Sequence, residues 1–213
     1  MRKILIIALL LTPIFSVAQD GTALWTGIGI DKKINKKLEV KLNAQTRFVD
    51  DVSYLQTYLG EVGLSYKIIK NLEITGYYRF VNRRKDETRA FNNRHRFYGD
   101  LSYGQKLGPI KFEYRLRYQH QFKDNDGEVG FDSSYWRNKL EVSLPNKSKF
   151  TPFVSGDLFY EIGTGFDQVR PKAGVSYKIN KRNSIEANIF TNVDIDGSEK
   201  ANPIFGLTYK LKL

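Results

Sequence analysis

The chain is 213 residues long, contains no cysteine, and carries 34 Lys and Arg against 23 Asp and Glu, a formal charge of +11. The missing cysteine excludes a disulfide framework and a lipoprotein-type anchor. The cations are spread along the chain rather than run together, which argues against a nucleic-acid partner. No segment after residue 20 approaches the roughly 20 apolar residues of a membrane-spanning helix, so any insertion into a bilayer must use strands.

Residues 1–18 place Arg2 and Lys3 before an apolar run from Ile4 to Phe15 and end on Ser16-Val17-Ala18. That is the layout of a secretory signal peptide removed after Ala18. As an anchor the run is too short, and Pro13 interrupts it. Residues 19–213 are expected to form a single domain, since no linker or shift in composition divides them.

A short strand is expected at 24–33. Residues 37–48 then alternate, with Leu38, Val40, Leu42, Ala44, Thr46 and Phe48 on one side and Glu39, Lys41, Asn43, Gln45 and Arg47 on the other. The same period of two recurs at 54–68, 72–84 and 93–104. It is cleanest at 110–122, where Ile110, Phe112, Tyr114, Leu116, Tyr118, His120 and Phe122 oppose Lys111, Glu113, Arg115, Arg117, Gln119 and Gln121. Further strands are expected at 135–144, 150–162, 168–179, 184–194 and 203–213. Connections alternate in kind: short turns at 34–37, 68–71, 106–109, 145–149 and 179–183 face longer polar loops at 83–90, 123–134 and 194–202.

Alternation alone does not say which face meets water. In a soluble sheet the apolar face packs on a core, whereas in an outer-membrane barrel it meets lipid and the charges line the lumen. The export signal, strands of about 10 to 15 residues, two kinds of turn and abundant Tyr and Phe all favour lipid on the apolar side. The fold expected is therefore all-β: a single antiparallel up-and-down transmembrane β-barrel of about 10–12 strands, with short periplasmic turns and longer extracellular loops. Eleven strands can be counted, and closed single-chain barrels of bacteria take an even number. Residues 24–33 are thus expected either to close a ten-stranded barrel as a partial strand against the C-terminal strand, or to be one of twelve.

The segments LWTGIGIDKKINKKLEVKLNAQTRF, YKIIKN, YKINKRN and IFGLTYKLKL resemble those of a family of exported Bacteroidetes proteins of unknown function, grouped with outer-membrane β-barrels. The resemblance implies location and fold, and brings no activity with it. The last strand, with Phe205, Leu207, Tyr209, Leu211 and Leu213 alternating, also looks like the signal read by the barrel assembly machinery, although it ends on Leu213 rather than an aromatic residue.

Chemistry-bearing constellations are few. His95 and His120 both fall on the lipid-facing parity and read as members of an aromatic girdle; no serine stands two residues from either, though one from a neighbouring strand remains open. Asp124, Asp126 and Glu128, and Asp194, Asp196 and Glu199, surround Gly127 and Gly197, but the spacing misses the calcium-loop pattern and Asp-Gly is a turn signal. Glu39, Glu61, Glu73, Asp100, Glu113, Glu141, Asp157 and Glu186 share the inward face with Lys and Arg, as in ion-pair ladders. No catalytic group, cofactor or metal site is expected.

The remaining feature is a basic lumen wall: Arg79, Arg83, Arg94, Arg96, Arg115, Arg117 and Arg137 on four successive strands, with Glu73, Asp100, Glu113 and Glu141 as acidic partners. Such a wall favours anions. The chain is expected to be a non-enzymatic outer-membrane barrel in contact with lipid and lipopolysaccharide. It would be either a small pore for anionic solutes or a barrel filled by its own side chains. The alternatives are a lipid-modifying barrel enzyme and a soluble exported β-barrel or β-sandwich that binds a ligand.

Overall fold

The computed structural model describes residues 21–84, 90–125, 127–197 and 201–213. The expected signal peptide, most of the 83–90 loop, and Asp126 and Glu199 of the acidic loops lie outside the described residues. The strands are β1 (Ala23–Lys33), β2 (Leu38–Val49), β3 (Tyr54–Ile69), β4 (Leu72–Arg84), β5 (Phe91–Leu107), β6 (Ile110–Asn125), β7 (Glu128–Ser143), β8 (Phe150–Glu161), β9 (Gly165–Lys178), β10 (Asn183–Phe190), β11 (Val193–Asp194) and β12 (Ile204–Lys212). There is no helix among the described residues.

Each strand from β1 to β10 pairs antiparallel with the next, β10 pairs antiparallel with β12, and β12 returns to β1. The last contact is parallel and runs from Ala23 opposite Ile204 to Asp31 opposite Lys212. Eleven strands thus close the barrel, while the two-residue β11 adds only a short pairing to β9 at Val193 and Asp194. This corrects the even-number expectation. Up-and-down order gives antiparallel closure only when the strand count is even; with an odd count the first and last strands run the same way and must pair in parallel. The segment 24–33 is a full strand of an eleven-stranded ring, and the twelfth strand, β11, split off from the expected 184–194, lies outside that ring.

The alternation resolves with the apolar side outward. Leu42, Val62, Leu64, Ile74, Leu101, Leu140, Val154 and Leu207 are all exposed. Among the described residues fourteen polar or charged residues are buried against eight hydrophobic ones, the inverse of a soluble core. Aromatic residues bracket the aliphatic band: Tyr58, Phe91, Phe97, Phe131, Tyr160 and Phe166 toward one rim, Tyr66, Tyr103, Tyr114 and Phe150 toward the other. Along β3, Tyr58 and Tyr66 bound a stretch of about 26 Å, or roughly 20 Å along the axis at a tilt near 40°.

At one rim the connections are residues 34–37, 70–71, 108–109, 144–149 and 179–182, as expected. The opposite rim differs from expectation at 123–134. There β6 and β7 continue as a hairpin to Asn125 and Glu128, with Gly127 at φ 96° and its amide held 2.9 Å from an Asp124 carboxylate oxygen. That rim also holds the 50–53 turn, where Asp50, Asp51 and Val52 adopt positive φ. Asp51 anchors the start of β1 by accepting from the Thr22 amide at 2.8 Å.

The parallel seam can be checked by crosslinking. Thr26→Cys with Leu207→Cys, opposed across β1 and β12 and both outward, should oxidise to a disulfide in the folded barrel. Thr26→Cys with Leu211→Cys, offset by about 13 Å along the strand, should not.

Candidate functional site

The inward side chains divide the lumen into two parts. Toward the short-turn rim lies a cavity of about 900 Å³, lined from the turn residues Lys70, Asn71 and Lys106 up to Trp25, Arg47, Leu59, Arg137 and Arg170. Toward the long-loop rim the lumen is filled. Thr57, Val81, Asn92, Gln119, Gln121, Ser133, Phe159 and Phe190 are buried there, and none of them lines the cavity. The lumen is therefore a cup, open at the short turns and floored within the barrel.

The floor is a stack of aromatic rings and guanidinium groups. Arg47 lies 3.6 Å from the Trp25 ring centroid and Arg170 5.6 Å from it. Trp25 meets Phe190 edge-on at 4.9 Å. Arg137 and Arg170 lie 4.0 and 4.9 Å from the Phe159 ring. Such contacts, each worth ~0.5–2 kcal/mol, fit cations too large to be left unsupported in a filled lumen. Trp25 is part of the small apolar cluster of Ala23, Phe190, Ile204 and Val49, which joins β1, β2, β10 and β12.

Three carboxylates organise the wall. Asp100 accepts both nitrogens of the Arg117 fork, at 2.6 and 2.7 Å, with both side chains almost fully buried. Glu61 accepts from Arg79, from the Tyr98 hydroxyl, and at 2.9 Å from the Asn43 amide. Asp157 accepts from Arg137 and, at 3.3 Å, from Arg115. Tyr98 stacks on Tyr77 at 4.7 Å, and Tyr77 lies over Gly63, where a Cβ would sit 2.3 Å from the ring. Glycine at this position makes room for the stack.

Nearer the mouth the pairs involve lysine: Lys41 with Glu39 and Glu73 at 3.2 and 3.3 Å, Lys111 with Glu113 at 2.7 Å, Lys139 with Glu141 at 2.7 Å, and Lys210 with Glu186 at 2.7 Å. The cavity lining as a whole contains fourteen Lys and Arg and five Asp and Glu.

The residues singled out from sequence are distributed as follows. Arg79, Arg115, Arg117 and Arg137 line the cup. Arg83, Arg94 and Arg96 lie beyond its floor, with Arg96 donating to Gln121 at 2.9 Å. Of Glu73, Asp100, Glu113 and Glu141, Asp100 meets an arginine and the other three meet lysines. Glu61 and Asp157, counted inward but not paired with the wall, carry three of its arginines. Arg47 and Arg170 were outside the wall altogether. The signal that could have found them is an inward arginine preceded two residues earlier by an inward amide and with no inward carboxylate beside it, as with Gln45 before Arg47 and Gln168 before Arg170.

Both histidines are on the outer face. The Tyr78 hydroxyl lies 2.8 Å from His95 Nδ1, and Ser134, from the neighbouring strand, places its Oγ 2.6 Å from His120 Nδ1. Among the described residues no carboxylate or amide meets either ring, so neither pair has the orienting third group of a nucleophilic triad.

Fold and site together define a closed all-β barrel with an apolar exterior and a basic, half-filled lumen. The chain belongs to the family described as "Protein of unknown function (DUF2490)", whose model matches residues 22–198. No curated protein matches it. Among solved structures, the siderophore receptor PirA from Pseudomonas aeruginosa is similar over 81% of this chain and 34% of its own, with 7% identity and a TM-score of 0.35. The chain thus spans about a third of that receptor's length.

The buried pair at Asp100 gives a stability prediction. Asp100→Ala strands Arg117 without its partner and should cost about 3–5 kcal/mol in urea unfolding, whereas Glu186→Ala, whose partner Lys210 is well exposed, should cost under about 1 kcal/mol.

Proposed function

We propose that this protein is an outer-membrane β-barrel that does not conduct, and that its basic cup, open to the periplasm, captures small anions. The observation that carries the reading is the pairing of a lumen filled toward the long loops with a cavity lined by fourteen cations and five carboxylates. The exposed aliphatic band between aromatic residues supports lipid as the outer solvent. Short turns face the periplasm in outer-membrane barrels, which puts the mouth of the cup on that side. The outward Phe205, Leu207, Tyr209 and Leu211 of β12 suit recognition by the barrel assembly machinery, and the exterior suits contact with lipid and lipopolysaccharide.

The charge excess acts by concentrating anions. Low-dielectric walls focus the field of a charged cleft, and the resulting enrichment spans ~10 to 10³ at low ionic strength. A filled floor converts that enrichment into retention rather than flow.

The membrane part is tested by Leu116→Arg, which puts a cation on the lipid face at a cost of roughly 2–4 kcal/mol near the midplane. The variant should lose the heat-modifiable band in outer-membrane fractions, while Arg115→Leu should keep it; equal tolerance of both would favour a soluble protein.

The cup is tested with a single thiol in this cysteine-free chain. Ser102→Cys, on the cup wall, should react about tenfold faster with an anionic than with a cationic thiosulfonate at low salt, and the ratio should fall as the Debye length shrinks toward about 3 Å at 1 M. Equal rates at low salt would refute an anion-concentrating cup.

A further inference from the structure

Resting on that reading of the cup, we infer that its occupant is a small polyanion rich in phosphate groups rather than a carboxylate ligand. The argument begins with where the cations lack partners. Arg47 donates through Nε to the Gln45 amide oxygen at 2.9 Å, and its face is taken by Trp25, which leaves the terminal nitrogens of its fork without a carboxylate. Arg170 donates to Asn192 at 2.6 Å and to Gln168 at 3.4 Å. Lys172, one inward position further along β9, has its ammonium 4.6 Å from the Phe190 ring. All three line the cup, and among the described residues none makes an ion pair with a carboxylate.

Amides and aromatic rings hold these groups in place without neutralising them. That arrangement fixes donors and leaves their charge for something else. From β3 to β8, Asp100, Glu61 and Asp157 bond Arg117, Arg79, Arg137 and Arg115; Asp157 faces Arg170 across β8 and β9 but makes no ion pair with it. Among the described residues six lining cations make no ion pair with a carboxylate: Arg47, Arg170 and Lys172 at the floor and on the β2 and β9 sides, and Lys67, Lys70 and Lys106 at the mouth.

The amount of charge selects the ligand chemistry. The lining holds nine more cations than carboxylates, and Glu39, Glu141 and Glu186, bonded to lining lysines from just outside it, lower the excess to six. A cavity of about 900 Å³ admits one ligand of ordinary size. A carboxylate brings a single charge, whereas a phosphate monoester brings about −1.5 to −2 with three acceptor oxygens. Three or four phosphate groups therefore match the excess in the available volume; as many carboxylates would leave about a third to a half of it. Guanidinium forks and lysine ammonium groups both suit phosphate oxygens. The same chemistry is offered by soluble polyphosphorylated molecules and by phosphorylated lipid headgroups.

The test is calorimetric titration of the full-length barrel in nonionic detergent, at constant ionic strength, with sodium tripolyphosphate, sodium citrate and dihexanoyl phosphatidic acid. Tripolyphosphate should bind one to one and about tenfold or more tighter than citrate. If dihexanoyl phosphatidic acid binds tighter still, the source is a headgroup; if weaker, a soluble polyanion. Arg47→Gln with Arg170→Gln should weaken tripolyphosphate about tenfold, and Lys172→Gln alone about threefold, while Lys181→Gln, exposed in the 179–182 turn, should change nothing. Heat-modifiable mobility identifies folded variants, and the Lys172→Gln result decides the matter should the double variant fail to fold. Citrate binding as tightly as tripolyphosphate, or affinity unchanged in the floor and wall variants, overturns the inference. Failure of the underlying reading looks different: Ser102→Cys would then show no preference for the anionic reagent. A Ser102→Cys thiol that prefers the anionic reagent but is not protected by tripolyphosphate leaves the cup standing and removes its phosphate ligand.

Discussion

Ring closure is the constraint on which everything else in this molecule depends. An open sheet of this composition would leave two edges of unpaired amides and carbonyls and a face crowded with charge. Pairing β12 with β1 removes both edges, and the odd strand count forces that pairing to be parallel. The same event builds the floor of the cup. Trp25 comes from β1, Ile204 from β12, Phe190 from β10 and Arg170 from β9, so the strands around the seam supply part of the lumen filling and β3 to β8 supply the rest. Closure and filling are one step in space, though their residues are far apart in the chain.

Once closed, the barrel buries the charges at its floor, such as Arg117 and Arg137, where a cation without a partner is costly. From β3 to β8 the solution is local: Glu61 and Asp100 each bond an arginine of the next strand, and Asp157 bonds arginines one and two strands away. On the seam side it is not. Arg47 and Arg170 rest on Trp25, Phe159 and amide oxygens, which support a guanidinium but leave its charge in place. Compensation is thus uneven by position rather than by wall: Arg47 and Arg170 make no ion pair, whereas Lys210 and Lys41 on the same side of the barrel are paired with Glu186 and with Glu39 and Glu73.

The inside-out polarity was legible wherever a strand crosses the apolar band, because Leu38 to Phe48 and Ile110 to Phe122 alternate without a break. It was not legible beyond the band. In residues 123–134 only Val129 and Phe131 are apolar among charged, small and amide residues, so the period of two is too short to read and the stretch looks like a loop although β6 and β7 continue through it. The count of eleven matched the closed barrel, and what failed was its adjustment to an even number: parallel pairing of the first and last strands leaves no mark comparable to a turn. At the site, the inward arginines and carboxylates could be placed by parity, but which of them meet depends on register and side-chain reach. Glu61 opposes Arg79 directly across β3 and β4, while Asp157 reaches Arg115, two strands away, as well as Arg137. Arg47 and Arg170 stand on strands with few other arginines, so a search for clustered cations in sequence passes over them.

The order of residue types with depth has its own physical logic. At the mouth stand Lys67, Lys70 and Lys106, flexible and strongly hydrated point charges that draw an anion in without fixing its orientation. Deeper lie Arg47, Arg79, Arg115, Arg117, Arg137 and Arg170, planar forks that present directed donors to oxygen pairs. On the proposed function, an anion entering from the short-turn rim would pass from long-range attraction to oriented hydrogen bonding. Had the arginines stood at the mouth, the first contact would have been the tightest and the deeper charge would go unused. With lysine outside, arginine inside and an aromatic floor behind, attraction and retention act in sequence along one axis, which is the arrangement expected of a site that holds its ligand rather than passing it on.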